Sequence, residues 1–392
     1  MTKSIVMATN LKVWSMSKGV GAPSFYKTIE QYQKKGLKIY FFTTEKGLDF
    51  SEFKNIDIIN VPKLKALNIP VFYSFQRLLN YLLNQLLFLY VYVKTSPKNI
   101  DVYYGYEIEF IPALKLLSKI KSKPLISRFQ GTILWPLMKK VGWRLRYFPH
   151  YFSIKIPAAV TIMTDDGTKG DKVAKTINNK SKKFLFLKNG VDFKADLSEV
   201  TESAKMLFSG FSDFDFNFIS VSRLESWKRL DRSIEIFESF LKRNPNSRYL
   251  ILGDGNKKAE YEELVKAKSL DGKVTFTGGV SKADIYFLMK GSDIFLSNYE
   301  LSNVGNPLWE AMYNGCLVAT LSNGDTGKVI IDGVNGLISQ EQNYLENAKK
   351  LCCLNLSEIK GMTDEAYKTL NESVSTWDER MEKEYKVVSG CL

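Results

Sequence analysis

Arg223 and Lys228 stand five residues apart in the stretch VSRLESWKRLDRSIEIF, residues 221–237. An apolar run ends at Ser222 and Arg223, a short polar turn carries Lys228, and a helix-like pattern follows. Two fixed cations at the carboxyl end of a strand, with a helix N-terminus behind them, suit an anion. An arginine fork and a lysine point charge can neutralise a pyrophosphate without a metal. The plainer alternative is a solvated loop in which Asp231 caps the next helix.

Two other loops carry similar chemistry. In SMSKGVGAPSFY, residues 15–26, Gly19 and Gly21 allow backbone N–H groups close to a ligand, and Pro23 suits a first helical turn. The same glycines also fit a simple turn. In SNYELSNVGNPLWEAMYNG, residues 297–315, a strand ends near Tyr299, Asn306 is the expected N-cap, Pro307 takes N1, and Glu310 falls one turn in. Loop amides and the helix start again face an anion; otherwise Glu310 is a first-turn acid contributing at most about 1 kcal/mol. Asp165 and Asp166 in MTDDGT form a carboxylate pair after a strand, either a base in an inverting reaction or an Asp-Asp-Gly turn. Asp213 and Asp215 in DFDF mimic a metal-binding Asp-x-Asp but precede a strand, so no metal and no cofactor are expected. His150 is the single histidine and reads as structural, which argues against a histidine zinc site.

These loops need elements to hold them. A chain of 392 residues suggests two domains. Short apolar runs (SIVMAT, LKIYFFT, IDIINV, DVYYGY, PLISRF, AVTIMT and KFLFL) alternate with helical patterns. The second half repeats the scheme with FNFISVS, RYLILG, KVTFTG, DIFLSN and CLVATL, and with helices near 231–243, 257–269, 281–290, 307–315 and 342–354. The pattern predicts an α/β protein of two doubly wound, Rossmann-like domains facing across a cleft, with ligands at the carboxyl ends of the strands. The polar stretch 193–210 is the expected boundary, giving domains at 1–200 and 201–375 and a terminal helix at 376–392.

Charge is uneven. Residues 1–195 hold 32 Lys+Arg against 12 Asp+Glu, net +20, and the remainder is net −7. The first half should be drawn to anions such as phospholipid headgroups, and the acidic second half argues against a protein that coats nucleic acid. The basic, aromatic stretch 133–155 (Lys139, Lys140, Arg144 and Arg146 among Trp135, Trp143, Tyr147 and Phe148) suits an anionic membrane surface. The apolar run 78–93 is too short to cross a bilayer and reads as a buried helix over the first sheet, with a membrane-facing element as the alternative. The opening MTKSIVMATNLKVW does not read as a signal peptide. The four cysteines (Cys316, Cys352, Cys353 and Cys391) show neither metal-ligand nor disulfide-frame spacing, which fits a reducing cytoplasm.

The motifs KGVGAPS, TDDGTKGDKV, KNGVD, VSRLESWKRLD, LILGDG, VTFTGGV, NPLWEAMYNGCLVAT, GDTGKVIIDGVNGLI and TWDERMEKEY, in this order over nearly the whole chain, resemble those of the family 4 retaining glycosyltransferases of GT-B type. The resemblance implies a nucleotide-sugar held mainly on the second domain. Arg223 and Lys228 would bind its diphosphate, and Glu310 would accept from the ribose hydroxyls. Amides near Gly253–Gly255 and Gly279–Val280 would read the base, the 303–306 loop (Asn303, Val304, Gly305 and Asn306) would lie on the donor, and Gly19 and Gly21 would close over the diphosphate. The terminal helix would return to the first domain. The family shows two glutamates eight positions apart. Counting back from Glu310 reaches Ser302, with Glu300 two residues earlier, so one of these would meet the transferred sugar. Gln130 stands where the family often has a histidine; with Asp165 and Asp166 it is assigned to the acceptor side.

The resulting expectation is a hexosyltransferase moving sugar from a UDP- or GDP-sugar to a saccharide, lipid-linked in the manner of capsule or O-antigen assembly. The leaving phosphate would take the acceptor's proton in a front-face reaction. The protein is expected in the cytoplasm, peripheral on the membrane's inner face through its basic half. A sugar-nucleotide epimerase or hydrolase on the same fold, or a non-enzymatic basic protein binding membrane or nucleic acid, are the alternatives.

Overall fold

The computed structural model describes all residues except 1, 13–15, 17–22, 64–72 and 193–195. Its contacts divide the chain into two units: Met1–Asp165, Lys169–Gly190 and Trp377–Leu392 in the first, Asp166–Thr168 and Val191–Thr376 in the second. The division falls ten residues before the boundary expected at 200/201. The polar stretch thought to be a linker instead holds the helix Glu202–Ser209, whose cap Thr201 accepts from the Ala204 N–H. Asp284 accepts in turn from the Thr201 backbone, fastening this helix to the second unit.

Each unit is built on one parallel sheet. The first has seven strands in the order β3-β2-β1-β4-β5-β6-β7: β1 Ser4–Thr9, β2 Lys38–Thr43, β3 Ile56–Asn60, β4 Val102–Tyr106, β5 Leu125–Phe129, β6 Val160–Thr164 and β7 Lys183–Leu187. Strands β1, β4, β5 and β6 are buried throughout, because helices cover both faces; this is why their sequences are unbroken apolar runs. The second sheet has six strands in the order β10-β9-β8-β11-β12-β13: β8 Phe216–Val221, β9 Ser247–Leu252, β10 Val274–Gly278, β11 Ile294–Ser297, β12 Leu317–Leu321 and β13 Leu337–Ser339. Only β13 has no counterpart among the expected strands; at three residues it is too short to show a period. In each sheet the chain reverses its direction of winding once, between β1 and β4 and between β8 and β11. The loops after these strands are where such sheets receive ligands.

The terminal helix Trp377–Ser389 packs in the first unit through a buried ionic cluster. Glu384 takes Arg128 Nη1 of β5 at 2.5 Å, Arg380 Nη1 at 2.7 Å and the Tyr104 hydroxyl of β4 at 3.0 Å. Arg128 and Glu384 side chains are wholly buried. Burial alone would push the Glu384 carboxyl up; the two guanidinium groups outweigh it and hold the group below the usual carboxylate range.

The helix Tyr73–Thr95 differs from the expected buried helix. One face (Tyr81, Gln85, Phe88 and Tyr92) is buried over the first sheet, yet the opposite face carries exposed large apolar side chains. Among the described residues no helix is long and apolar enough to cross a membrane.

Replacing one partner of a buried ion pair strands the other, at a cost of about 3–5 kcal/mol. Glu384→Ala should therefore lower the thermal midpoint of the first unit markedly. Lys35→Ala, which removes an exposed pair of the same helix to Glu382 at 2.9 Å, should leave it nearly unchanged. Because the folded carboxyl is held low, the stabilisation is complete above the unfolded pKa of about 4.3 and lost as pH falls through the folded value. Equal thermal midpoints for wild type and Glu384→Ala would contradict this account.

Candidate active site

The second unit gathers its polar groups at the winding reversal between β8 and β11. After β8 the chain passes through Arg223 into a short turn, Ser226–Lys228, and then into the helix Leu230–Leu241. Arg229 adopts the left-handed region at φ 46° to make that entry, and Asp231 sits in the first turn rather than at the cap. After β11 the chain runs through Tyr299–Gly305 into the helix Asn306–Tyr313, whose cap is Gly305; Asn306 is the first helical residue and Pro307 the second, one position on from expectation.

These two loops are stitched together. The Glu300 N–H donates to the Trp227 carbonyl at 3.1 Å, and the Tyr299 hydroxyl donates to the Val221 carbonyl at 3.2 Å. Lys228 Nζ lies 3.6 Å from the centre of the Tyr299 ring and 4.0 Å from that of Trp227. The rings strip water from the ammonium end. This desolvation, with the positive Arg223 nearby, pulls the Lys228 pKa down to about 7 against the opposing pull of Glu225 and Asp166. Arg223 is half exposed and donates to Glu225 at 2.6 Å; the other Glu225 oxygen accepts from the Trp227 indole at 2.7 Å. Sequence reasoning missed Trp227, Tyr299 and Glu225. The aromatic beside Lys228 and the aromatic closing β11 were the available signals.

Glu310 lies buried in the helix after the β11 loop, 3.8 Å from Lys282 Nζ, which also pairs with Asp192 at 2.7 Å. The Tyr286 hydroxyl donates to the Asp192 carbonyl. Burial raises the Glu310 pKa, Lys282 works against the rise and Asp192 adds to it. Lys282 had no signal in sequence beyond its place at a helix start.

The remaining expected residues fall into distinct settings. Ser302 is buried, its hydroxyl accepting from the Val304 N–H at 3.1 Å. Asn303 is also buried and fastens the loop by accepting from the Tyr299 N–H at 2.9 Å and taking Thr326 as partner of its own N–H at 3.1 Å. Val304 is buried beside them. Glu300 is exposed and pairs with Arg229 at 3.4 Å. Asp166 belongs to the second unit, and its carboxylate closes a turn on the Thr168 N–H and hydroxyl, at 3.1 and 2.6 Å. Gly167 in that turn, at φ 78°, sits so close to Ser302 that a Cβ would collide with the Ser302 hydroxyl. Asp165 stays with the first unit, donating its N–H to Leu187 at 2.9 Å.

Gly253, expected to offer its amide to a base, donates it to the Gly278 carbonyl at 2.8 Å. At φ 138° it lets the β9 loop press on the Ser222 carbonyl, where any Cβ would clash. Gly279 and Val280 follow β10, Gly279 exposed with open space around it. In the first unit, Gln130 donates its side-chain amide to the Tyr106 hydroxyl at 3.2 Å and its N–H to Glu107 at 2.7 Å. Burial and Arg77 lower the His150 pKa to about 4, so it is neutral at pH 7. Gly19 and Gly21 lie outside the described residues. Among the described residues no group of three or more His, Cys, Asp or Glu could hold a metal.

Residues 208–357 match the model of the family "Glycosyl transferases group 1". That stretch contains Arg223, Lys228, Glu300 and Glu310. The chain is 25% identical over 166 residues to the alpha-monoglucosyldiacylglycerol synthase of Acholeplasma laidlawii, an alignment covering 41% of this chain and 42% of that protein. The chain spans 33–42% of the length of the curated relatives it matches. Among solved structures it superposes on Anabaena Alr3699/HepE in complex with UDP and glucose, with a TM-score of 0.74, 16% identity and coverage of 99% of this chain and 100% of that one. WaaG, a glycosyltransferase involved in lipopolysaccharide biosynthesis, superposes with a TM-score of 0.68 at 16% identity, covering 98% and 100%. The two parallel-sheet units thus have the GT-B fold, and residues 208–357 of the second are similar to the glycosyl transferases group 1 family.

Proposed function

We propose that the protein is a retaining glycosyltransferase that moves a sugar from a nucleotide-diphosphate donor, a UDP-sugar in the first instance, to a saccharide acceptor. The observation that carries this reading is the cation pair at the β8–β11 reversal. Lys228 has lost much of its hydration between two aromatic rings, and Arg223 stands at the end of the same strand. A desolvated lysine gains most from an anion that arrives with its charge exposed, and a departing nucleoside diphosphate is such an anion. The two side chains would stabilise the leaving group without a metal. Glu310, 3.8 Å from Lys282, would accept from the ribose hydroxyls. Glu300 or Ser302 would meet the transferred sugar. The leaving phosphate would take the acceptor's proton, so no protein base is required.

The acceptor is proposed to be a lipid-linked saccharide of surface-polysaccharide assembly, met at an anionic membrane surface to which the basic first unit is drawn. The similarity to an alpha-monoglucosyldiacylglycerol synthase and to a glycosyltransferase involved in lipopolysaccharide biosynthesis supports this choice. A hydrolase on the same fold would release sugar from the donor with no acceptor present, which separates that reading in one assay.

Arg223→Ala and Lys228→Met should each abolish sugar transfer while leaving the thermal midpoint in place, and wild-type transfer should persist in chelator. Near-normal turnover in either variant would remove the assignment.

Binding of a diphosphate should raise the Lys228 pKa from about 7, so nucleotide binding at pH 8 should take up a proton and weaken as pH rises further. Calorimetry of UDP binding in buffers of different ionisation enthalpy measures this uptake, which should vanish in Lys228→Met. Identical apparent enthalpies in all buffers would rule it out.

Glu310→Ala should weaken UDP binding at least about tenfold, the scale of a lost charge-assisted hydrogen bond. Affinity unchanged in the variant would move the ribose contact elsewhere.

A further inference from the structure

The helix Tyr73–Thr95 is apolar on two opposite faces, and only one of them is covered. Phe75, Leu79, Leu82, Leu86, Tyr90 and Val93 recur every three or four residues and so share one stripe. Phe75, Leu86, Tyr90 and Val93 are each more than 60% exposed. The stripe runs over 19 residues, roughly 27 Å from Phe75 to Val93 at 1.5 Å per step. An uncovered apolar band of that length on a folded unit marks an interaction surface.

Its surroundings select the occupant. The helix Phe148–Lys155 is held against Tyr73–Thr95 by a 2.7 Å hydrogen bond between the Tyr81 and Ser153 hydroxyls. The segment 139–146 leads into that helix. It exposes Lys139, Lys140, Arg144 and Arg146, with Val141 and Leu145 also fully or largely exposed between them. The first unit as a whole carries 34 basic and 14 acidic side chains, net +20. A second copy of this chain would bring the same excess of positive charge to the contact, which repels it. An anionic bilayer supplies both complements, acyl chains for the stripe and phosphate for the cations.

We infer that the stripe of helix Tyr73–Thr95, flanked by the cationic segment 139–146, is the surface by which the first unit docks on an anionic phospholipid bilayer. The helix lies in the plane of the interface, its uncovered side chains among the upper acyl chains and the lysines and arginines at the headgroups. The inference rests on the membrane-acceptor reading above and gives it a location. It also joins the two membrane candidates of the sequence, the apolar helix and the basic aromatic segment, into one surface.

Co-sedimentation of the full chain with phosphatidylglycerol and with phosphatidylcholine vesicles tests it. Wild type should bind the anionic vesicles and release partly at high salt. Leu82→Glu/Leu86→Glu should bind about tenfold more weakly or less, whereas Met206→Glu/Leu356→Glu, on exposed apolar positions of the second unit, should bind as wild type. Leu86→Trp keeps the site apolar, and its added emission should shift to the blue with anionic vesicles. Thermal stabilisation by UDP, followed in every variant, reports the donor site independently. Lost UDP binding with intact vesicle binding would refute the function and leave the surface standing. No vesicle binding by wild type, equal binding by Leu82→Glu/Leu86→Glu, an unshifted Leu86→Trp emission, or a dimer that these variants dissolve would overturn the docking surface.

Discussion

Lys228 is held where water cannot fully reach it, and the arrangement of the second unit follows from that confinement. In the strand order β10-β9-β8-β11-β12-β13, the loops leaving β8 and β11 must emerge side by side. One brings Trp227 and Lys228, the other Tyr299, and the Glu300–Trp227 backbone hydrogen bond fixes the distance between them. A lysine enclosed by two rings keeps favourable contact with their π faces but loses hydration, so its charge becomes conditional near neutral pH.

The neighbouring glycines and asparagines serve this confinement more than they serve a ligand. Gly253 lets the β9 loop lie on the Ser222 carbonyl, and Leu224 donates its N–H to the Asp254 carbonyl at 2.9 Å, so the Arg223 segment is pinned from below. Asn303 ties the β11 loop to Thr326, and Gly167 admits the Asp166 turn against Ser302. Polar residues that look like ligand contacts in sequence are here satisfied by backbone. This is expected where a tight loop must bury its own N–H and C=O groups.

The first unit uses a different device. Glu384 between Arg128 and Arg380 makes a fully buried ionic core whose value lies in specificity: the terminal helix has one register in which all three charges are paired. Such a cluster is dearly desolvated and strongly punishes a missing member. The same unit leaves a long apolar helix face uncovered, a cost in water that a bilayer would remove.

Most of the scaffold was legible because parallel strands covered on both faces must be short apolar runs, and twelve of the thirteen strands showed that pattern; β13 did not, being too brief. Four of the five helix starts expected in the second half lie within a residue of those found, as at Asn306, since capping chemistry is local; the fifth, expected at 342, begins at Glu346. The Arg223 and Lys228 pair was visible for the same reason: it lies at one strand-to-helix junction. Lys282 and Tyr299 were not, because their partners (Glu310 and Asp192 for the one, Lys228 and Val221 for the other) lie far from them in sequence; Glu225 stands two residues from both Arg223 and Trp227, but that spacing inside a turn does not show that it joins them. The capped helix Glu202–Ser209 was not foreseen, because its polar composition reads only as a domain boundary, although the expected second domain already began at 201.

By itself, then, the sequence determined the two α/β units, the uneven charge and the cations at the end of β8, since each follows from local pattern or simple composition. Tertiary structure alone decided that Lys228 is wrapped by Trp227 and Tyr299, that Asp166 belongs with the second unit, and that one face of Tyr73–Thr95 remains bare. Desolvation and exposure are properties of neighbours distant in sequence, and no local pattern encodes them.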